Sequence, residues 1–339
     1  MPYTWDNKWY PPDTDNGENM KHIYITNCAQ DGGIMHYVVI DNKLCYKDTL
    51  PLDRPTYTVF RENKFYTLLR ETDYNTHFGS LISGDILDNG QLRITGNICS
   101  TEGICPCHLC IFDNNVFVTN YLSGNIVKIG HKSVKHSGHG VNPLRQEAPH
   151  THSIIASPDG RYLLSADLGL DTVFVYDNDL NEISKATVPC GKGCRHLVFS
   201  NDGKYLYCVN ELSSDVSVFD FCAENGNLKY SKTFDCNLPN NTETTAAAIR
   251  LKDGKLYVSH RGANCITQFE INSDGGLKFI SNTASGGSSP RDFDLIDNLI
   301  ITANEGGSIG VLSVNNDEIK LIDSINIGEN PLCVNYIDI

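Results

Sequence analysis

Two sets of side chains fall at matched places along this chain and could do chemistry together. Glu211, Arg261 and Glu305 each follow directly on a polar residue that closes an apolar stretch, and His152, Arg195 and Arg291 each stand near the start of an apolar stretch. Carboxylate and imidazole groups move protons near neutral pH. Guanidinium groups stay charged and grip carboxylate, phosphate or a developing oxyanion. A third group lies in SVKHSGHGVNPLRQEAPHTH, Ser133 to His152, which carries His136, His139, Arg145, His150 and His152. That basic and imidazole-rich stretch suits an anionic small molecule.

What must position these residues is a repeat. The unit is an apolar strand, a turn rich in Asp, Asn or Gly, a second strand with a polar close, and further strands. Clear copies begin at Pro106, His150, Cys194, Ala246 and Pro290, with weaker ones near Pro55 and His22. The second strands close at Asn27, about Leu69, Asn120, Asp167, Asn210, His260 and Asn304, at intervals of roughly 40 to 50 residues, the period of propeller blades. YLYCVN and DVSVFDF alternate with period two, as strands do. The pairs Asp159-Gly160, Asp202-Gly203 and Asp253-Gly254 are expected to make hairpin turns. The expected fold is therefore all-β, a seven-bladed β-propeller over residues 21–339. HIYITN lacks a first strand before it and PLCVNYIDI lacks a second strand after it, so the N- and C-terminal strands are expected to close one blade together. That removes the exposed sheet edges. Residues 1–20 are expected to form a surface arm.

In a propeller, both sets of residues become rings around the axial channel. The position after the second strand reads Cys28, Arg70, Tyr121, Leu168, Glu211, Arg261, Glu305. The start of the first strand reads Thr56, Cys107, His152, Arg195, Ala246 or Ala247, Arg291, Leu332. Positions with only a structural task should look alike across blades, and these do not. The loop at 133–152 is long for a hairpin, which marks it for function.

Composition narrows the classes. The chain has 339 residues, 40% hydrophobic and 20% charged, with a net charge of −14. It can bury a large core, and it lacks the basic face of a nucleic-acid or anionic-membrane binder. No apolar run approaches the length of a membrane span. The polar, Pro-rich start carries no signal peptide pattern, and thirteen cysteines, many inside apolar runs, fit reduced thiols; a cytoplasmic location is expected. The cluster Cys99, Cys105, Cys107, His108, Cys110 does not have zinc-knuckle spacing, so no metal is expected, and neither a Walker loop nor a dinucleotide fingerprint opens a helix.

The stretches at 145–169, 193–219, 256–269, 286–295 and 303–311 resemble the seven-bladed propeller lactonase family, which includes propeller-type 6-phosphogluconolactonases and fungal carboxy-muconate cyclases. The resemblance runs from about residue 106 to the end. It implies a catalytic His, Arg, Glu and Arg at a histidine of the PHTH motif, Arg195, Glu211 and Arg261. The histidine is His150 or His152, with His152 favoured because it aligns with Arg195 across blades. By charge logic, Glu211 is the expected general base, His152 the acid for the leaving alkoxide, and Arg195 and Arg261 the oxyanion and anion clamps. His150, His196, Arg145 and Arg291 are expected to orient the substrate. The implied activity is hydrolysis of a sugar lactone, with 6-phosphogluconolactone foremost and no cofactor. The expected partner is a small anionic lactone, with no nucleic acid and no membrane. A muconate cycloisomerase and a non-catalytic propeller interaction module are the alternatives, though the chain lacks in-register W-D and G-H signatures.

Overall fold

The computed structural model describes residues 20–73, 75–239 and 243–339. Its strands form seven antiparallel sheets, six of four strands and one of five. The innermost strands are Pro331–Asp338 in blade 1, Pro55–Arg61 in blade 2, Pro106–Phe112 in blade 3, Thr151–Ala156 in blade 4, Cys194–Phe199 in blade 5, Thr245–Lys252 in blade 6 and Pro290–Ile296 in blade 7. Each packs against the innermost strand of the next blade, and the last packs against the first, which closes the ring. The seven strand-closing positions expected from the sequence all fall at or next to the end of a blade's second strand.

The sequence pattern explains which strands lie inside. Leu163–Asp167 and Thr172–Tyr176 are buried along their whole length, whereas the outermost strand of that blade, Glu182–Thr187, is largely exposed. Apolar side chains of facing sheets fill the wedge between blades, as sheets packed face to face require. Leu164, Ala166, Val173 and Val175 of blade 4, for example, meet Leu197, Leu206, Cys208 and Phe219 of blade 5. Near the axis, polar side chains bridge neighbours: Thr56 Oγ1 donates to Pro106 O at 2.8 Å, and Asn335 Nδ2 to Thr58 O at 3.0 Å.

Blade 1 is built from both ends of the chain, with Lys21–Asn27 running antiparallel to Pro331–Asp338. Met20 continues the pairing through hydrogen bonds with Ile339, so it belongs to the blade and not to the arm expected over 1–20. The remainder of that expected arm, residues 1–19, lies outside the described residues. Two further details differ from expectation. Blade 2 has a fifth strand, because Phe78–Ile86 pairs with both Leu92–Ile94 and Cys99–Ile104. Of the three Asp-Gly pairs, only Asp253-Gly254 forms a tight two-residue hairpin, with both residues at positive φ. At Asp159-Gly160 and Asp202-Gly203 the aspartate accepts a preceding serine hydroxyl and the backbone N–H two residues on. Such Asx-type bonding favours a longer turn.

One irregularity recurs in all seven blades. The ladder between the first and second strands slips by one residue near the start of the first strand. The unpaired residues are Leu332, Thr56, Cys107, His152, Arg195 and Arg291; in blade 6, Ala247 and Ala248 stand opposite Ser259. A bulge of this kind re-aims the inserted side chain.

Candidate active site

Six bulge residues, Thr56, Cys107, His152, Arg195, Arg291 and Leu332, line one small hollow on the channel axis, together with Arg70 and His196. Its free volume is about 30 Å³, room for a water molecule or two beside several polar partners. The ring expected from the repeat is thus a real ring, and the bulge is what turns each side chain inward.

Glu211 stands at the rim of this hollow. It is the first residue beyond the strand Tyr205–Asn210, and its backbone N–H donates to Gly193 O at 2.7 Å. Its carboxylate accepts from Arg195 Nε at 2.9 Å, lies 3.1 Å from Arg261 Nη2, and also takes Arg145 Nη2. His152 Nε2 is 3.9 Å from the same carboxylate. Arg195 and Arg261 are further fixed by donating to the carbonyls of Ala247 and Ala246 at 2.7 and 3.1 Å. Arg291 Nη1 lies 3.5 Å from Glu305 Oε1. Four guanidinium groups, at positions 145, 195, 261 and 291, therefore pair with the carboxylates of Glu211 and Glu305, and a fifth, that of Arg70, lines the hollow, in a chain whose overall charge is −14. The local field is reversed, and it favours an anion.

The charges set one another's protonation. Burial alone would raise the Glu211 carboxyl, but the charges of Arg261, Arg195 and Arg145 outweigh it and hold the group well below the usual carboxylate range. Burial, then Arg261, lowers Arg195 to about 9, which still leaves it charged at neutral pH. Burial and the Arg195 charge push His152 well below its ordinary value. Its Nδ1 is buried with no hydrogen-bond partner among the described residues. Both shifts run against the roles expected from charge logic, since they favour the charged form of Glu211 and the neutral form of His152. The physical reason is crowding: three guanidinium groups on one carboxylate stabilise its anion and destabilise a nearby imidazolium.

The other expected residues fall into place around this core. Arg145 reaches Glu211 directly from its loop and lies 3.5 Å from the Tyr121 hydroxyl. His196 lines the hollow with its ring 5.3 Å from that of His152, and is likewise held neutral by burial and Arg195. His150 does not reach the core. It stacks on Tyr121 at 4.4 Å, with Nδ1 3.0 Å from Tyr121 O and Nε2 3.2 Å from Glu147. Of the two histidines, His152 is the one that lines the hollow beside Glu211.

Sequence reasoning missed the device that holds the Arg145 loop. Asp167 Oδ2 is 2.6 Å from His136 Nδ1 at the start of the loop, and Oδ1 accepts the N–H of His150 at its end, at 2.8 Å. His136 Nε2 lies 2.6 Å from the Tyr176 hydroxyl. The signal was present: Asp167 is the only acid among the strand-closing residues. Cys107 faces the hollow, but burial raises its thiol to about 12, which leaves no thiolate to act as a nucleophile. The string Gly-Gly-Ser-Ile-Gly at 306–310 has the spacing of a nucleophile elbow, yet it lies on a hairpin and Ser308 donates to Gly286 O. Among the described residues, no group of three or more His, Cys, Asp or Glu side chains is placed to hold a metal ion.

The description "Lactonase, 7-bladed beta-propeller" matches residues 22–336. The chain belongs to this lactonase family. The match includes the first blades, where the sequence resemblance had not extended, in keeping with the part that Thr56 and Arg70 take in the hollow. Among similar proteins, an uncharacterised Staphylococcus aureus protein is 29% identical over 310 residues, 84% of this chain and 89% of that one. A Lactobacillus plantarum protein of known structure superposes with a TM-score of 0.84 at 26% identity, over 94% of this chain and 99% of the other. A periplasmic gluconolactonase of Pseudomonas aeruginosa also gives 0.84, at 23% identity, with the same coverage. This last likeness is one of fold.

Proposed function

We propose that this lactonase-family propeller opens the ring ester of an anionic sugar lactone, with 6-phosphogluconolactone the leading substrate. The observation that carries the proposal is the Glu211 carboxylate clasped by Arg145, Arg195 and Arg261 beside the neutral imidazole of His152. Family membership and the likeness to a gluconolactonase support the reaction class.

In this reading the hollow holds the attacking water. Its oxygen adds to the lactone carbonyl carbon while its proton passes to His152, whose neutral state fits it to accept. Glu211 then stabilises the imidazolium. Arg195 and Arg291 face the tetrahedral oxyanion, where fixed positive groups are worth most because they need no reorganisation. Collapse breaks the bond between the carbonyl carbon and the ring oxygen. His152 returns the proton to the departing alkoxide, giving the open hydroxy acid. Arg145 and Arg261 take the distant phosphate or carboxylate. Arg145 sits on a loop and its side chain is 39% exposed, so it can exchange Glu211 for the substrate anion.

The test is a side-by-side measurement of kcat/KM for 6-phosphogluconolactone, gluconolactone and muconolactone, corrected for spontaneous hydrolysis. The phosphorylated lactone should lead gluconolactone by about tenfold or more, since a charge-assisted contact contributes about 1.5–3 kcal/mol. Turnover of muconolactone alone would favour the cycloisomerase, and turnover of none would overturn an enzymatic role on these substrates.

A further inference from the structure

The opposite mouth of the channel holds a second cavity, of about 850 Å³, within the range of small-molecule sites. One position decides its character. Three residues beyond the bulge, the seven blades carry Asn335, Val59, Cys110, Ile155, Val198, Arg250 and Asp294. Blades 2 to 5, which are consecutive, place apolar side chains there, and the remaining three blades place polar or charged ones. A repeat position with only structural work to do would not split in this way. Val59, Cys110, Ile155, Val198 and Arg250 all line the cavity. The result is an apolar crescent facing a guanidinium.

Arg250 is built into place. It donates to Asp292 Oδ1 at 2.7 Å and to its neighbour's carbonyl, Ile249 O, at 3.0 Å. Asp292 is itself fixed by the Val334 N–H at 3.1 Å. The Arg250 guanidinium also lies over the Phe293 ring at 5.7 Å, and its side chain lines the cavity and is 23% exposed. The floor is Tyr57 stacked on His108 at 4.4 Å. Burial and the Arg250 and Arg195 charges lower the His108 imidazole to about 3, so it is a neutral ring there. Arg61 and Arg161 stand at the rim. The layer of Tyr57, His108 and His196 separates this cavity from the catalytic hollow.

We propose that this second mouth is a binding site, distinct from the catalytic hollow, for a small carboxylate with a flat apolar body. The body lies on the crescent of blades 2 to 5 and the carboxylate meets Arg250. The site goes beyond the lactonase reading and stands whether or not that reading does, so it is tested by binding and not by turnover.

The probe is 2-naphthoate, titrated into the full-length protein by fluorescence or calorimetry, with the neutral 2-naphthalenemethanol as its partner. Saturable one-to-one binding is expected, with the neutral compound at least about tenfold weaker. Val198→Trp fills the crescent while leaving Arg250 untouched, and should abolish binding. Arg250→Met should weaken the carboxylate about tenfold or more and leave the alcohol unchanged, whereas Arg250→Lys should keep part of the preference. Arg250→Met leaves Asp292 unpaired and so can fail to fold; the Val198→Trp and neutral-probe measurements decide the matter without it. Absence of saturable binding, equal affinity for acid and alcohol, or unchanged binding in Val198→Trp would each overturn the proposal.

Discussion

Arg195 Nε and Glu211 Oε2 lie 2.9 Å apart, sixteen residues apart in the chain, the one on the first strand of blade 5 and the other just past the end of its second. Both side chains are almost wholly buried. This carboxylate is the counter-charge for three guanidinium groups, and its loss leaves Arg195 and Arg261 unbalanced out of water. Glu211→Gln should lower kcat by about a hundredfold or more and also lower the melting temperature, because breaking a buried pair costs about 3–5 kcal/mol. Inorganic phosphate should stabilise the variant more than the wild type, since it can take the place of the missing anion. Thermal shift with and without phosphate reads this directly.

In the proposed reaction, His152 sets the pH dependence. Burial and the Arg195 charge hold it neutral, so as a base it is ready across the whole neutral range. The enzymatic kcat/KM should be flat from about pH 6.5 to 8, with any acid limb below the ordinary histidine value of about 6.5. A rate that fell as pH rose through about 6.5 would restore the role of His152 as a resting acid and exclude it as the base. His152→Ala should lose about a hundredfold or more in kcat.

Stability should fall on mild acidification. His22, His36, His108, His152, His196 and His260 all have their values lowered by burial, His36 to about 4 and His108 and His260 to about 3. The unfolded chain takes up a proton on each as pH falls through about 6.5. The folded chain does not until well below that, so the unfolded state binds more protons in between. The contribution is fully present above about pH 6.5 and is lost as pH falls toward 4, by at most about 1.4 kcal/mol per histidine per pH unit. Calorimetric melting between pH 7.5 and 4.5 should show a steep drop with proton uptake on unfolding.

The Asp167 clamp should matter for binding more than for chemistry. His136→Ala removes a 2.6 Å contact at the start of the Arg145 loop and leaves the ring of bulge residues in place. KM for an anionic lactone should rise several-fold with kcat nearly unchanged, which is the mark of lost substrate binding. Amide exchange over residues 137–149 should quicken. Unchanged KM together with quickened exchange would show that the loop does not hold the substrate.

Much of this architecture was legible because a propeller repeats. Aligning the copies put His152, Arg195 and Arg291 in one column and Glu211, Arg261 and Glu305 in another, and the columns became rings. Protonation was not legible. The state of His152 depends on burial by neighbouring blades and on a guanidinium from blade 5, which no single copy of the repeat contains. Nor was the reach of Arg145, because periodicity says nothing about a loop whose path is set by the Asp167 and His136 contacts. The Asp-Gly turns misled for a local reason: Ser157 and Ser200 draw the aspartates into wider bends.

The one-residue slip at the head of every first strand has a wider consequence. Because the inserted residue is excluded from the ladder, its identity carries little weight for the blade that bears it. Leucine, threonine, cysteine, histidine and arginine all occupy that seat in this one molecule. The scaffold therefore separates its framework from its fittings. A relative can exchange one catalytic repertoire for another by changing a few side chains around the axis, with every sheet left as it was.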